Sequence, residues 1–357
     1  MTALAAQIAR RIHENGPMTI AEYMAECLLD PRFGYYTTRP PFGREGDFTT
    51  APEISQMFGE LLGLWLAQSW LDQGAPGRFC LAEIGPGRGT LMADILRATR
   101  GVPGFHAAAQ VILIEASPRL RALQAERLAP HGIGWADDIS ALSQPPYADL
   151  PLFVLGNEFF DALPIRQFIK DTGGWRERLV GLKDGALHFG LSDSSPSPAL
   201  DAAFSTDAPG TLVEICPQAG AIMADLARHI TARGGAALFV DYGDWGSKGD
   251  TFQAVRAHGF TDPLDDPGMA DLTAHVDFRA LAQAARPLSA HYTTQGAFLA
   301  ALGIAARAAR LAQGMTGAAL ENHQAAYHRL TDAQEMGSLF KVLALTRPDT
   351  PPPPGFA

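Results

Sequence analysis

Positive charge is in short supply in this sequence. Lys and Arg number 28 against 38 Asp and Glu in 357 residues, a formal net charge of −10. That balance argues against a general nucleic-acid binder, which needs a basic surface to displace counterions from phosphates. A cationic partner, such as a basic peptide segment, suits an acidic chain better. Cysteine is scarcer still. Cys27, Cys80 and Cys216 lie far apart, with no paired spacing for zinc or a redox dithiol, and read as buried or idle thiols of a reducing compartment. Long apolar runs are missing as well: the best early stretch, Met57 to Leu71, is interrupted by Glu60 and Gln68 and is too short to cross a bilayer. The N-terminus has no apolar signal-peptide region, and the histidines show no ligand spacing, so no metal site is expected. No internal repeat stands out. What is present, 47% hydrophobic and 18% charged residues, reads as an ordinary globular protein, expected in the cytoplasm.

Residues 1–78 read as a helical N-terminal extension. Leu4, Ile8 and Ile12 recur at helical spacing, and Gly16-Pro17 stops that helix. An irregular segment from about Asp30 to Pro52, DPRFGYYTTRPPFGREGDFTTAP, is too apolar for a mere linker and is read as a functional loop or lid. From residue 79 short apolar runs alternate with helical patterns. Candidate strands are 79–85, 110–116, 132–136, 151–157 and 236–243, with two more at 288–294 and 339–347. This alternation predicts an α/β fold with a largely parallel sheet covered by helices, over 79–347. Within it, 165–215 reads as an inserted antiparallel meander, its runs separated by the turns DTGG and KDG. The tail 348–357, rich in proline, is expected to be disordered.

The central motif is Glu83-Ile84-Gly85-Pro86-Gly87-Arg88-Gly89, between the first strand of that series and the helical run TLMADILRA. Glycines there let the backbone turn sharply and approach a ligand with no Cβ in the way. A glycine-rich loop alone is a weak signal, since dinucleotide enzymes use a related one. Three details favour S-adenosylmethionine: the acid ahead of the glycines, a proline at 86 that removes an N–H a pyrophosphate would use, and no surplus positive charge beyond Arg88. Glu115, at the end of the next strand, is placed to accept hydrogen bonds from ribose hydroxyls. Asp138, with its neighbour Ile139, follows the third strand, where the adenine would lie.

After the fourth strand comes Asn157-Glu158-Phe159-Phe160-Asp161-Ala162-Leu163-Pro164. The carboxyl end of a parallel strand is where substrate chemistry sits in open α/β sheets, and two carboxylates three positions apart can hold a guanidinium. The plainer reading makes the phenylalanines core and Asp161 a turn cap.

Taken together, GPMTIAEYM (16–24), DPRFGYY (30–36), GDFTTAPEISQMFGELLG (46–63), EIGPGRGTL (83–91), GNEFFDALP (156–164), EICP (214–217), VDYGD (240–244) and DPGMADLTAHVDF (266–278) resemble the MidA family. QGAFLAALGI (295–304) and MGSLFKVLAL (336–345) extend the match over nearly the whole chain. The resemblance implies a Rossmann-like class I methyltransferase with a seven-strand sheet, S-adenosylmethionine as cofactor, and a role in assembling respiratory complex I. It further implies an arginine of the subunit lining the quinone pocket as acceptor, in a bacterial cytoplasmic enzyme, since the matching region begins almost at Met1. On that reading Glu158 holds and polarises the guanidinium, Asp161 is a second clamp, and Asn157, Thr50 and Pro52 lie close to the cofactor. His275 is the alternative base, suited to an acceptor of lower pKa. The rivals are the same enzyme class with another acceptor, and a degenerate, non-catalytic assembly factor. Oligomeric state is not readable.

Overall fold

The computed structural model describes residues 2–38, 49–246 and 248–356. The part of the expected lid that falls at 39–48 therefore lies outside the described residues. The chain forms two compact units, each assembled from separated segments: 1–48, 160–219 and 244–277 in the first, and 49–159, 220–243 and 278–357 in the second. This differs from the expected layout in two main respects: residues 244–277 fall in the first unit rather than with the sheet, and the N-terminal extension is divided. Residues 49–78 join the second unit, while the rest of the N-terminal extension shares the first with the inserted meander.

The second unit is built on a mixed sheet. The strands along its main path are β1 (Phe79–Ile84), β2 (Ala109–Ile114), β3 (Ile133–Ala136), β4 (Leu152–Asn157), β5 (Gly235–Asp244), β6 (Ser289–Thr294) and β7 (Phe340–Thr346); the two-residue strand Val276–Asp277 makes it eight-stranded. The path across the sheet runs β3-β2-β1-β4-β5-β7-β6. β3, β2, β1, β4 and β5 pair parallel to their neighbours, and β7 runs antiparallel to both β5 and β6. All seven coincide with the candidate strands to within a residue or two at each end. The central ones are buried along their full length, which is why they read as continuous apolar runs rather than alternating ones. From β1 the chain winds outward through β2 and β3, then returns to the other side of β1 as β4. The strand order therefore switches between β1 and β4, where ligands bind in open sheets.

Helix α1 (Gln56–Asp72) is apolar nearly all round and buried. Gly59 and Gly63 let it approach α2 (Thr90–Ala98) closely: a Cβ at either would stand 2.6 Å from Asp94 Cβ or 2.9 Å from Ile95 Cα. The Glu60 that broke the apolar run is buried and bridged by both Arg307 nitrogens, at 2.7 and 2.9 Å, and by Arg97 at 3.2 Å. The proline-rich tail is a correction to the expected disorder. Pro354 accepts a hydrogen bond from Trp65 Nε1 at 3.1 Å, and the Phe356 ring packs 5.2 Å from Phe298. Prolines stiffen the tail, so ordering it costs little entropy, and one aromatic anchor suffices to hold it.

In the first unit, helix Ala3–Asn15 ends at Gly16 (φ +84°), as the sequence predicts. The meander appears as antiparallel strands Arg166–Asp171, Gly174–Lys183, Ala186–Leu191 and Leu212–Ile215, joined by the short Met18–Thr19 strand, which the sequence reading missed. A second small sheet, Gln253–Arg256, Gly259–Thr261 and Asp271–Thr273, was also missed. Its hairpin turns through Ala257 and His258, both at positive φ, and the only sequence sign of it is the following Gly259.

Substituting Phe356→Ala should lower stability by about 1–3 kcal/mol, the cost of removing a half-buried aromatic. A urea denaturation series reads this, and an unchanged midpoint would return the tail to disorder.

Candidate functional site

The parallel strands of the second unit put their carboxyl ends on one edge, and the motif residues follow there. The backbone turns at Gly85, Gly87 and Gly89 with φ of +66°, +52° and +75°, a region that disfavours any side chain. A Cβ on Gly85 would also stand 2.8 Å from Phe159 Cδ2. Glu83 is fully buried beneath this turn. Burial pushes its carboxyl up to about 8, opposed by the Met92 N–H and reinforced by the nearby Glu115 charge. Glu115 is likewise raised by burial, while its oxygens accept from Ser117 N–H at 2.8 Å and Gln124 Nε2 at 3.3 Å.

Gln124 was not found from sequence. It lies on α3 (Pro118–Arg127), completely buried, and its amide also donates to the Gly87 carbonyl at 2.7 Å while accepting from Trp135 Nε1 at 2.9 Å. One side chain thus ties the glycine turn, Glu115 and β3 together. A second tie is Glu53, on the short helix Ala51–Ile54. Its carboxylate takes the Thr90 hydroxyl and faces Arg88 at 3.6 Å and Arg127 at 3.9 Å. Thr50 is the N-cap of that helix, but through its backbone carbonyl and without a side-chain bond; Pro52 is buried in the first turn. Asp138 is exposed and caps the turn Ile139–Ser143 through the Ser140 N–H at 2.8 Å, which also lowers its pKa.

Glu158 follows β4 directly and occupies the left-handed region at φ +51°. Its N–H donates to the Val240 carbonyl at 2.9 Å. Its Oε1 accepts from Ala51 N–H at 3.1 Å and from Asn157 Nδ2 at 2.9 Å. The next residue is pinned by Asp241, buried on β5, whose carboxylate takes the Phe159 N–H at 3.1 Å and the Tyr242 N–H at 2.9 Å.

A family model described as "Putative S-adenosyl-L-methionine-dependent methyltransferase" matches residues 61–296. The chain is 36% identical to the protein arginine methyltransferase NDUFAF7, mitochondrial, of Xenopus tropicalis, over 99% of this chain and 89% of that protein. It is 37% identical to the human protein of the same name, over 97% and 83% respectively. A solved COG1565 superfamily member from Burkholderia thailandensis, bound to S-adenosyl-homocysteine, superimposes with a TM-score of 0.85 at 29% identity, covering 99% of this chain and 94% of that one. The chain belongs to the MidA family of S-adenosylmethionine-dependent methyltransferases.

The residues of this MidA protein fit the family cofactor. Glu83 Oε2 and Asn157 Oδ1, on the adjacent strands β1 and β4, are buried polar atoms with no hydrogen-bond partner, the condition expected of atoms that await a ligand. The glycine turn beside them keeps side chains out of the way.

The other predicted residues belong to the first unit. Asp161 is buried, and its carbonyl accepts from Ala274 N–H at 3.0 Å. His275 is half-buried ahead of helix Phe278–Ala284, with its backbone N–H on the Thr251 hydroxyl at 2.9 Å. That hydroxyl in turn bonds the buried Glu214. Tyr36 places its hydroxyl between both oxygens of Asp271, at 2.9 and 3.0 Å; burial, then the Asp271 and Asp161 charges, push it well above the ordinary tyrosine range. Tyr35 and Tyr242 are buried in the cores of their units. Among the described residues, no helix is long and apolar enough to cross a membrane, and no group of His, Cys, Asp and Glu is placed to hold a metal.

S-adenosylmethionine is cationic, so its binding should ionise Glu83. At pH 7 a carboxyl lifted to about 8 is mostly protonated, and calorimetry in buffers of different ionisation enthalpy should record release of close to one proton. The release should vanish in Glu83→Gln. The same raised value predicts a stability contribution, in the cofactor-free protein, that is present below the ordinary 4.5 and lost as pH rises towards about 8.

Proposed function

We propose that this protein methylates an arginine of a protein substrate, a respiratory complex I subunit equivalent to the one that lines the quinone pocket, with Glu158 as the group that holds the acceptor. Relatives sharing over a third of its residues are named protein arginine methyltransferases, which supports the acceptor class. The observation that carries the residue assignment is the left-handed backbone at Glu158, with its carboxylate fixed by the Ala51 and Asn157 donors at the strand-order switch. Strained backbone of this kind persists where the surroundings over-determine it, often at active sites. The strand order, with β7 antiparallel to both of its neighbours, supports the finer assignment to the Rossmann-like class I type.

Glu83, Asn157 and the glycine turn would hold the cofactor, with Glu115, Asp138 and Ile139 towards its adenosine end and Thr50 and Pro52 over it. When bound, S-adenosylmethionine supplies a methyl group on a sulfonium, open to in-line displacement. The protein's work is then position and electrostatics. An arginine is a cation with a pKa above ~12 and a delocalised lone pair. A fixed carboxylate pairs with it, draws the positive charge towards the N–H groups it holds so that lone-pair density builds on the attacking nitrogen, and accepts the proton the guanidinium loses as that nitrogen gains the methyl. Asp161 is proposed as second clamp and His275 as the alternative base. A reducing compartment, the cytoplasm of a bacterium, is proposed for the enzyme; the three free cysteines are compatible with it.

Glu158→Gln should bind S-adenosylmethionine within about twofold of wild type yet lose methyl transfer by about 10²–10⁴, the usual worth of a positioned acid or base. Transfer of radiolabelled methyl into complex I subunits, followed by hydrolysis and methylarginine analysis, measures this. Near-normal transfer would remove Glu158 from the mechanism, and label on another residue type would change the acceptor.

A further inference from the structure

The first unit carries a groove of about 620 Å³ that the methyl-transfer residues do not use. One wall is the strand Ala186–Leu191, which pairs with Gly174–Lys183 along one edge; among the described residues no strand pairs with its other edge. The lining also includes the loop bearing Asp262, Asp265 and Asp266, together with Thr2, Ala5 and Ala9 from the start of the chain. Apolar side chains, Leu182, Leu187 and Phe189, lie along the groove. The acidic loop is tied down by hydrogen bonds. The buried Tyr23 donates to the Pro263 carbonyl at 2.6 Å, Thr2 to the Pro267 carbonyl at 3.2 Å, and the Asp265 N–H to the Asp262 carbonyl at 3.0 Å.

Charge defines the occupant. Arg178 is the single arginine or lysine among the groove's described lining residues. It is already committed, stacked on Phe189 at 3.9 Å and paired with Asp250 at 2.6 Å. Arg256 reaches Asp266 at 3.2 Å, an exposed and therefore weak pair. Among the described residues these are the ion pairs made by the three aspartates and Asp250, and the groove lining carries three aspartates to one arginine.

We propose that this groove docks an extended segment of the protein substrate in which arginine or lysine alternates with apolar residues. The segment adds as a strand to the free edge of Ala186–Leu191, its apolar side chains meeting Leu187 and Phe189 and its cations meeting the aspartate loop. Main-chain hydrogen bonds give such an addition its affinity and alternate side chains its specificity. The inference rests on the reading of the acceptor as a protein, and it gives part of substrate selection to residues other than Glu158, Asp161 and His275.

The test uses the full chain and a fluorescein-labelled peptide of alternating arginine and valine, about eight residues long, the length of an ordinary strand. Anisotropy titration should show binding at least tenfold weaker in Asp262→Asn/Asp265→Asn/Asp266→Asn. A variant with the same charge change elsewhere, Asp72→Asn/Asp149→Asn/Asp349→Asn, should bind like wild type. The same peptide methylated on alternate backbone nitrogens should bind at least tenfold more weakly, because it cannot complete a strand ladder. Equal losses in the two triple variants, equal binding of the glutamate–valine counterpart, or indifference to backbone methylation would overturn the proposal. Calorimetry with S-adenosylmethionine on each variant separates a misfolded protein from a lost groove. Arginine methylation that proceeds while peptide binding fails these tests refutes the groove alone; groove binding without arginine methylation refutes the acceptor assignment alone.

Discussion

A single residue with a Cβ held in the left-handed backbone region, Glu158 at φ +51°, sets the terms for the second unit's edge. Such a conformation costs about 1–3 kcal/mol and survives only where neighbours enforce it. Here they do. Val240 takes the Glu158 N–H, Asp241 takes the N–H of Phe159, and the Glu158 carboxylate collects the Ala51 N–H and the Asn157 amide. Three separated stretches of sequence, the TTAPE segment, the end of β4 and the end of β5, converge on one carboxylate and one turn. The Phe159 ring, carried by that turn, lies 2.8 Å from where a Cβ on Gly85 would fall, so the glycine loop and the Glu158 turn are fitted to each other.

The cofactor half is organised by burial. Glu83 is kept from water by the sheet, and that desolvation lifts its pKa to about 8. The protein therefore offers a neutral carboxyl that a cationic ligand can ionise. Gln124 and Glu53 brace the loop from two sides, the first through neutral hydrogen bonds and the second through Thr90, Arg88 and Arg127. Because Glu53 and Ala51 lie on the same short helix, the segment expected to cover the cofactor is tied both to the glycine loop and to Glu158.

Much of this was legible in the sequence for physical reasons. Strands buried on both faces must be continuous apolar runs, so β1, β4 and β5 announced themselves, and the acid-led glycine motif needs its glycines wherever it folds. The parts that were not legible depend on tertiary partners. Gln124 is one polar residue in a helix, and nothing local says that it reaches Gly87 and Glu115. Glu60 looked like an interruption and is instead a buried anchor for Arg307. The tail read as disordered from its prolines, but Trp65 and Phe298 capture it. The two-unit organisation was hidden because each unit draws on distant segments, with the NEFFDALP motif itself divided between Phe159 and Phe160.

The most direct test of the central claim is the kinetics of Asp241→Asn, which keeps size and removes the charge from the acceptor of two backbone N–H groups. If the enforced turn at Glu158 is what positions the acceptor, kcat for methyl transfer should fall at least tenfold while the S-adenosylmethionine Kd stays within about twofold, since no cofactor-holding atom is changed. Wild-type turnover in that variant would contradict the account and leave the strained turn as a feature of the fold without a part in the chemistry.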